Sequence, residues 1–530
     1  MRMEENRHAR IGIDVGGTNT DAVFMEGGNV IAEAKTPTTK DVTAGVVTAM
    51  RNLIGDRQLK QGQIQAVMIG TTHFTNAIVE ATRLMPTAAV RLGLPATQAL
   101  PPMVGWPDRL SKALGGHAYL CHGGNEFDGR HISELDVGEL RRVAEDIGSK
   151  GIRSVAISSV FSPLNHDFEE EAGRIFESEL PGVAISLSHE IGRIGLLERE
   201  NATILNACLR ELADHIVDAF HDALDEVGIK GPVYLSQNDG TLMSVDYARR
   251  YPVATFASGP TNSMRGAAFL SGRLDCAVVD IGGTTSDVGM LQHGFPRESS
   301  IAIEIGEVRT NFRMPDVYSY GLGGGSLVRE DGELRIGPDS VGYELTSKAL
   351  CFGGETLTAT DIAVAAGHAE IGDPRRVAHL DKDLVRRCLQ LIQDRLAQAV
   401  DHVKTSAEPI PVVVVGGGSI LLIDHLPGAS ELVKPQHFAV ANAIGAAIAQ
   451  VGGQVDRIFM LDKQSREKAL DEAKQEAVDR AVASGANRAT VHVVDVEEVP
   501  LTYLPSSATR IRVKAVGDLE LENQSIATAS

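Results

Sequence analysis

Two segments of the chain carry the same pattern of residues, and the pattern suits phosphate binding. Residues 11–21 read IGIDVGGTNTD and residues 277–288 read AVVDIGGTTSDV, so in each an apolar run ends in aspartate and Gly-Gly-Thr follows. Glycines let the backbone turn tightly and approach a ligand, and successive backbone N–H groups can then surround phosphate oxygens. The residues predicted to bind phosphate are Gly16, Gly17, Thr18 and Asn19 in the first loop and Gly282, Gly283, Thr284 and Thr285 in the second.

The aspartates of the two patterns predict a metal ion. A carboxylate beside phosphates would repel them unless a cation lies between, so Asp14 and Asp280 indicate Mg²⁺, held partly through water. Asp21 and Asp287 close the patterns, and each could orient water or metal or simply cap its loop. A single copy would be as typical of an ordinary hairpin turn. Two copies with matching flanks favour one nucleotide clamped from both sides.

Other phosphate and hydrolase motifs are missing from the sequence. No G-x-x-x-x-G-K-[ST] segment occurs, so a P-loop NTPase is excluded. A third glycine loop at 416–418 follows the apolar run VVVV, but G-x-G-x-x-G is not completed there, which disfavours NAD binding. The lack of a G-x-S-x-G elbow and of a partnered cysteine disfavours covalent hydrolase chemistry.

The composition of the chain limits its class. Its 530 residues are 43% hydrophobic and 23% charged, which is ordinary for a globular protein, and at roughly 150 residues per domain they suggest about three to four units. The net charge of −20 argues against nucleic acids and anionic membranes as partners. Five cysteines without a CxxC pair, a polar N-terminus and the lack of a run of about 18 apolar residues favour a cytoplasmic protein without a membrane span.

The elements that must position these loops are those of an α/β protein. Short apolar runs such as 66–69 and 412–415 alternate with helix-like stretches, of which 196–227 and 381–403 are the clearest. Strands that alternate with helices favour largely parallel sheets with covered faces. From about residue 455 an Ala/Glu/Lys-rich helix and two short strands predict a small α/β appendage.

The order of the motifs, two phosphate loops and then a strand followed by Gly-Gly-Gly, resembles the actin, sugar-kinase and heat-shock-protein-70 superfamily. The resemblance implies duplicated actin-like ATPase domains around an interdomain nucleotide cleft, with Gly416, Gly417 and Gly418 against the adenosine of ATP. It also implies two crossing helices of small residues, for which 258–271 and 439–450 are suited. The domains that we expect are 1–190 for the first half, 191–454 for the second half and 455–530 for the appendage.

Several further segments together resemble the hydantoinase A and 5-oxoprolinase family. They are GTTHFTNAIVE at 70–80, LLERENATILNACL at 196–209, LSQNDGTL at 235–242, ASGPTNSMRGA at 257–267 and the GLGGGS loop at 321–326. The resemblance implies an ATP-dependent enzyme that opens cyclic amides such as hydantoins or 5-oxoproline, working as an oligomer with a second hydantoinase-type subunit. The chain departs from longer members at TNS after ASGP, at the segment DVYSY, and at 342–354.

In the chemistry that the resemblance implies, ATP phosphorylates the amide oxygen and water then attacks the activated carbon. Thr71, Thr72, His73 and Asn76 follow a strand, at the edge of a parallel sheet where ligands bind, and are candidates for catalysis and substrate contact. Gln237 and Asp239 are the second choice as residues that contact the substrate. Thr-Thr before an apolar helix is also a good N-cap. Two alternatives stay open: an ATP-dependent carboxylase subunit that activates its substrate by phosphorylation, and an ATP-sensing interaction protein without turnover.

One further group of metal-binding residue types stands in the segment HAYLCHGG. His117, Cys121 and His122 could in principle hold Zn²⁺ or Mn²⁺. The sequence offers no matching second pair, and isolated histidines are more often just hydrogen-bonded. No metal beyond Mg²⁺ is therefore predicted.

Overall fold

The chain alternates strands and helices along most of its length, as the α/β prediction requires. The computed structural model describes residues 9–38, 42–55, 64–299, 302–311, 314–330, 332–422, 424–462, 464–502 and 507–520. The strands within these ranges are β1 (Ala9–Val15), β2 (Asn19–Glu26), β3 (Asn29–Pro37), β4 (Ile64–Thr71), β5 (Ala88–Leu94), β6 (His117–His122), β7 (Ser154–Ser159), β8 (Ala184–Leu187), β9 (Val233–Ser236), β10 (Thr241–Ser244), β11 (Cys276–Ile281), β12 (Ser286–Gln292), β13 (Phe295–Pro296), β14 (Ile303–Ile305), β15 (Val308–Thr310), β16 (Val317–Tyr320), β17 (Ser326–Glu330), β18 (Leu334–Ser340), β19 (Ile410–Val415), β20 (Ala429–Val433), β21 (Gln450–Met460), β22 (His492–Pro500) and β23 (Ala508–Gly517).

The helices cover the faces of the sheets that these strands form. They are α1 (Val42–Ile54), α2 (His73–Glu80), α3 (Asp108–Ala113), α4 (Val137–Ser149), α5 (Asp167–Glu179), α6 (Ser188–Ile191), α7 (Leu196–Cys208), α8 (Arg210–Glu226), α9 (Val245–Arg250), α10 (Ser258–Ser271), α11 (Leu345–Lys348), α12 (Ala359–Ala365), α13 (Lys382–Val403), α14 (Ala441–Ala447) and α15 (Arg466–Ala483). A short 3-10 turn, Gly417–Leu421, follows β19. Among the described helices, none combines the length and the apolar composition that a membrane span needs.

The strands form three main sheets. The first has nine strands in the order β22-β23-β21-β10-β9-β4-β1-β2-β3. The second runs β13-β12-β11-β19-β20, with β16 also paired to β12, and the third is the parallel sheet β6-β5-β7-β8. The hairpins β14–β15 and β17–β18 form two separate two-stranded sheets.

The two copies of the glycine pattern occupy equivalent places in the first and second sheets. β1 pairs antiparallel with β2 and parallel with β4, and β11 pairs in the same way with β12 and β19. In each hairpin the two aspartates of the pattern are direct cross-strand partners, Asp14 with Asp21 and Asp280 with Asp287. The structural unit around each loop is therefore duplicated, as the sequence predicts.

The apolar run VVVV is the centre of the second sheet. β19 lies between β11 and β20, both parallel to it, and Val412–Val415 are all buried. A central parallel strand is covered on both faces, so it requires an uninterrupted apolar run instead of alternation. The third glycine loop thus begins at the end of a rigid strand, immediately beside the end of β11.

The predicted helices of small residues are α10 and α14, and their backbones cross in direct contact. A Cβ atom at Gly266 would lie 1.9 Å from the carbonyl oxygen of Ala441, and one at Gly445 would lie 1.8 Å from that of Asn262. Any side chain at either glycine would force the helices apart. The close crossing matters for function, because each helix contributes an asparagine to the site described below.

The nine-stranded sheet contains strands from all three of the predicted domain ranges. β9 and β10, from the expected second half, belong to the nine-stranded sheet with β1–β4. In the region predicted as a small α/β appendage, β22 and β23 extend that sheet through β21. The division of the chain into domains stays a prediction. Residues 521–530, the end of the predicted appendage, lie outside the described residues.

Candidate functional site

Each copy of the glycine pattern forms the same hairpin turn. The N–H of Gly16 donates to the carbonyl of Asn19 at 3.0 Å, and the N–H of Gly282 donates to that of Thr285 at 2.9 Å. The two turns approach each other, since a Cβ atom at Gly283 would lie 3.1 Å from Cγ2 of Thr18. The structure therefore brings together two loops that are far apart in the sequence.

The third glycine loop closes a further side of the same space. Gly416 has φ +85° in the left-handed region, and a Cβ atom there would lie 2.1 Å from Oδ1 of Asp280. Both its backbone conformation and its contact with the carboxylate therefore require glycine. The GLGGGS loop supports the second turn from behind, with the N–H groups of Gly324 and Gly325 donating to the carbonyls of Gly282 and Gly283 at 3.0 and 2.7 Å.

The three loops enclose one cavity of about 360 Å³. It is lined by loop residues, by the first turns of α10 and α14 and by side chains from neighbouring elements. The polar or charged side chains among its lining are Asp14, Thr18, Asn19, Asp21, Lys35, Thr72, Ser263, Asp280, Thr284, Thr285, Asp287, Thr360 and Asn442. Within the described part of the chain, the N–H groups of Gly17, Thr18, Gly283 and Thr284 donate to no protein acceptor. These donors are available to an anionic ligand in the cavity.

Asp14 is buried at the centre of this arrangement. Asn262 of α10 and Asn442 of α14 donate to its two carboxylate oxygens at 3.3 and 3.0 Å. Burial, together with the neighbouring charges of Asp21 and Asp280, raises the pKa of Asp14 to about 6, although the two asparagines act in the opposite direction. The surroundings of this carboxylate therefore hold too little positive charge to offset its burial and the neighbouring negative charges.

Lys35 is a cation that sequence reasoning missed. It extends from β3 so that its ammonium donates to both oxygens of Asp21, at 2.7 and 2.8 Å, and to the carbonyl of Ala439 at 3.2 Å. Asn442 also donates to Asp21 at 2.9 Å. No motif surrounds Lys35, and the segments that contain Asn262 and Asn442, ASGPTNSMRGA and the predicted helix 439–450, do not by themselves assign a role to either asparagine. Only their convergence on the paired aspartates in the fold identifies them.

The aspartates of the second hairpin are also in an environment that disfavours their charge. Burial raises the pKa of Asp280, against the influence of Ser263 and Lys35. Burial and the charge of Asp280 raise the pKa of Asp287 to about 6, although the hydroxyl of Ser319 donates to it. Clustered carboxylate oxygens that raise one another's pKa are the hard donors that Mg²⁺ prefers. The residues present therefore fit a divalent cation bound with a polyphosphate.

The candidates that follow β4 are only partly brought to the cavity. Thr72 lines it, whereas Thr71, His73 and Asn76 lie outside its lining. The hydroxyl of Thr71 is 2.6 Å from Nδ1 of His73, and burial, with a smaller effect of Arg83, lowers the pKa of His73 to about 4. His73 is therefore a neutral imidazole at neutral pH. Its catalytic role stays a prediction.

The structure does not bring Gln237 and Asp239 to the glycine loops. Both line a second cavity of about 600 Å³, formed in part by β10, α9 and β21. Burial alone would raise the pKa of Asp239, but Lys514 at 2.9 Å and the donors of Thr241 lower it to about 2. Asp239 thus ties the β9–β10 turn to β23, which is a structural function that its local sequence does not reveal.

The cysteine and histidine residues of β6 do not form a cluster. Cys121 is buried and His122 next to it is exposed, because successive strand residues point to opposite faces. Nδ1 of His122 lies 3.2 Å from Glu139. All five cysteines are buried and free of disulfide bonds. Among the described residues, the group of three metal-binding side chains whose ligand atoms lie within 4.8 Å of one another is instead His166, Glu170 and His189.

Comparison with known proteins shows the family to which the chain belongs. The model of the hydantoinase/oxoprolinase N-terminal region matches residues 10–180, and the hydantoinase/oxoprolinase model matches residues 199–410. The alpha subunit of caprolactamase from Pseudomonas jessenii is 28% identical over 487 residues, which are 83% of this chain and 65% of that protein. The gamma subunit of acetophenone carboxylase from Aromatoleum aromaticum is 26% identical over 400 residues, 68% of this chain and 53% of that protein. An uncharacterised protein of Methanocaldococcus jannaschii is 26% identical over 428 residues, 74% of this chain and 62% of that protein.

The chain thus spans less than two thirds of the length of these relatives. Its fold is shared by solved structures that include the following two. ATP-dependent caprolactamase from Pseudomonas jessenii gives a TM-score of 0.76 at 18% identity, and nucleotide-free acetone carboxylase gives 0.68 at 17% identity. Each likeness covers 97% of this chain and 88% of the other. They confirm the predicted fold class, and the two family models together cover most of the sequence. The chain belongs to the hydantoinase/oxoprolinase family.

Proposed function

We propose that this chain is the ATP-dependent subunit of an enzyme that opens a cyclic amide by phosphorylating the amide oxygen. The observation that carries the proposal is the single cavity that two equivalent hairpin turns and a third glycine loop line together. Caprolactamase and 5-oxoprolinase, whose names state cyclic-amide substrates, are among the relatives. The substrate class and the activity are inferred from this combination.

The triphosphate of ATP would lie between the two hairpin turns. The N–H groups of Gly17, Thr18, Gly283 and Thr284 are available as donors, and Gly259 and Pro260 place the first turn of α10 on the same cavity. A helix N-terminus and successive free N–H groups both favour phosphate oxygens. Gly416–Gly418 would lie along the adenosine, where the lack of side chains leaves room for it.

Asp14 and Asp280 would hold Mg²⁺, partly through water, and Asp21 and Asp287 would complete its surroundings. The ion supplies positive charge to the phosphoryl group during transfer. The charge of the ion would offset the burial and the neighbouring negative charges that together raise the pKa of Asp14 and Asp287 to about 6. Asn262 and Asn442 fix the orientation of Asp14, since each donates to a different carboxylate oxygen.

The reaction would proceed in two steps. The amide oxygen attacks the γ-phosphorus, the new O–P bond forms as the bond to the bridging oxygen breaks, and ADP leaves. Water then adds to the activated carbon, the ring C–N bond breaks as nitrogen takes up a proton, and a second water hydrolyses the resulting acyl phosphate to the carboxylate and free phosphate. Because phosphoryl transfer depends mainly on positioning and charge neutralisation, the protein's contribution is to align and shield the reacting groups.

Lys35 adds the cation that the sequence motifs alone do not provide. Its ammonium lines the cavity beside Asp21, and Cε lies 3.6 Å from the position of a Cβ atom at Gly417. A lysine between the first hairpin and the third loop is placed to donate to a phosphate oxygen of the nucleotide. We assign it this role as part of the proposal.

A second candidate function is that of a carboxylase subunit, which uses the same phosphorylation to activate a ketone. It is supported by the relatives named as acetophenone and acetone carboxylase subunits. The larger share of the chain matched by the caprolactamase subunit, 83% against 68%, favours the lactam reaction. Since these relatives are named as subunits, a second subunit is part of the proposal. An ATP-sensing interaction protein without turnover remains the alternative outside enzymes.

The test is a screen for ADP release over hydantoins, lactams and 5-oxoproline, with and without the product of the neighbouring gene, and with bicarbonate present or absent. We expect ADP and a ring-opened product without bicarbonate. Bicarbonate-dependent carboxylation would identify the second candidate. ATP binding without ADP release under any condition, combined with nucleotide-dependent binding of another protein, would contradict both enzyme proposals.

A further inference from the structure

A cluster of metal-binding side chains lies away from the glycine loops, where the third sheet meets α5 and α6. Its members are His166 at the N-terminal end of α5, Glu170 in its first turn and His189 in α6. One ligand atom from each lies within 4.8 Å of the other two. His189 also belongs to the lining of the 600 Å³ cavity, so the cluster lies at the edge of that cavity.

Glu169 holds the ring of His189 in the orientation that a metal ligand needs. This carboxylate is fully buried and accepts from Nδ1 of His189 at 2.8 Å and from its backbone N–H at 3.0 Å. Since an ionised carboxylate can only accept, Nδ1 carries the proton in this contact, and Nε2 is the nitrogen that is left for a metal ion. A buried carboxylate behind a histidine is the arrangement that fixes metal-binding imidazoles in many proteins.

His166 and Glu170 supply two further donors from one face of the start of α5. Residues four apart on a helix are neighbours, and Nε2 of His166 lies 3.4 Å from Oε1 of Glu170. The rings of His166 and His189 stack with centroids 4.6 Å apart and an interplanar angle of 16°. The His166 side chain is 51% exposed, so its ring has room to adjust when an ion binds.

We infer that His166, Glu170 and His189 form a binding site for a borderline divalent metal ion such as Zn²⁺. Two imidazole nitrogens and one carboxylate oxygen suit Zn²⁺ and leave a fourth position for water. The ion would join α5 to α6 beside the larger cavity. This site is separate from the proposed Mg²⁺ site, which consists of carboxylates alone.

The test measures metal binding by the full chain after removal of metals with EDTA, without nucleotide or substrate. Zn²⁺ affinity is measured by competition with a chromophoric chelator, and Co²⁺ is used to record the visible absorption of a four-coordinate site. We expect one Zn²⁺ per chain and a four-coordinate Co²⁺ spectrum. His166→Ala changes an exposed side chain and Glu170→Ala a half-buried one at the surface, so the fold should persist, and each should weaken Zn²⁺ binding at least about 100-fold.

His122→Ala is the matched control. His122 is 47% exposed and lies 3.2 Å from Glu139. The two form a histidine–glutamate pair like that of His166 and Glu170, but without a counterpart of His189. The control variant should leave affinity and spectrum unchanged. The inference is overturned if the wild-type chain binds no Zn²⁺, if His166→Ala and Glu170→Ala bind it as the wild type does, or if His122→Ala alone removes binding. Because no nucleotide is needed, these outcomes are independent of the proposed function.

Discussion

The substitution Asp14→Asn should remove a pH-dependent loss of stability from the metal-free protein while destroying its nucleotide site. Asp14 is 4% exposed, and its pKa is raised from 3.8 to about 6. Because this value lies above that of the unfolded chain, the folded state binds more protons between pH 4 and 6. The free energy of unfolding therefore falls as pH rises through this window. The shift corresponds to about 3 kcal/mol once pH exceeds 6.

The size of the effect can be separated from other consequences of the substitution by comparing two pH values. For a group with these two pKa values, the loss of stability between pH 5 and pH 8 is about 1.4 kcal/mol. The asparagine that the substitution introduces does not titrate. It keeps only one oxygen for the donors Asn262 and Asn442, and losing one such bond costs about 1–3 kcal/mol at every pH. The pH-dependent difference therefore reports the buried charge alone.

The assay is urea denaturation at pH 5 and pH 8 in EDTA, followed by the fluorescence of Trp106. This residue is the sole tryptophan and packs in the same core as Ile11 and Ile13 of β1, so it reports on the unit that carries Asp14. Relative to the variant, the wild type should lose about 1.4 kcal/mol between the two pH values. Asp108→Asn, at a highly exposed carboxylate, is the control that should follow the wild type. Parallel pH profiles for the wild type and Asp14→Asn would refute the reasoning.

Three further predictions concern the same cavity. Gly416→Ala should lower the free energy of unfolding by about 2–4 kcal/mol, because its φ of +85° and the carboxylate of Asp280 exclude a Cβ atom. Its control is Gly17→Ala, where nothing lies within 4 Å of the new atom. This variant should stay within about 0.5 kcal/mol of the wild type in the same urea titration. Lys35→Met should lower the rate of ATP-dependent ADP release about 100-fold, and equal rates in the variant and the wild type would contradict its phosphate role. Asp280→Asn should keep the circular dichroism of the wild type and lose Mg²⁺-dependent ADP release, and an unchanged Mg²⁺ titration would show that the metal assignment is wrong.

The parts of the fold that could be predicted from sequence are those whose signals are local. The duplicated hairpins follow from a pattern of only about ten residues, and VVVV followed by glycines indicates a central strand with a loop at its end. The segment SGPTNSMRGAAFLS predicts a tightly packed helix, which is α10. In each case the residues that specify the element are the ones that form it.

The parts that could not be predicted depend on contacts between distant segments. Lys35 meets Asp21 through strand pairing, but its contact with Ala439 and the approach of Asn262 and Asn442 to Asp14 arise only when α10 and α14 cross over β1. Strand order is also non-local, which is why the sequence does not reveal that the C-terminal strands extend the first sheet.

The candidate substrate residues also show that a local sequence does not determine where a polar side chain lies in the fold. Asp239 stands in the turn sequence Asn-Asp-Gly, and its partner Lys514 lies near the C-terminal end of the chain. A polar residue in a loop therefore cannot be assigned to substrate binding from its neighbours alone. Thr72 reaches the cavity because β4 ends beside β1, a parallel pairing that the sequence suggests but does not specify.

The most direct test of the account is a crystal structure of the chain with Mg²⁺ and a non-hydrolysable ATP analogue. We predict the triphosphate between Gly16–Asn19 and Gly282–Thr285, the metal between Asp14 and Asp280, and the adenosine along Gly416–Gly418. An analogue bound in the larger cavity beside Gln237, or a triphosphate that contacts one hairpin and not the other, would contradict it.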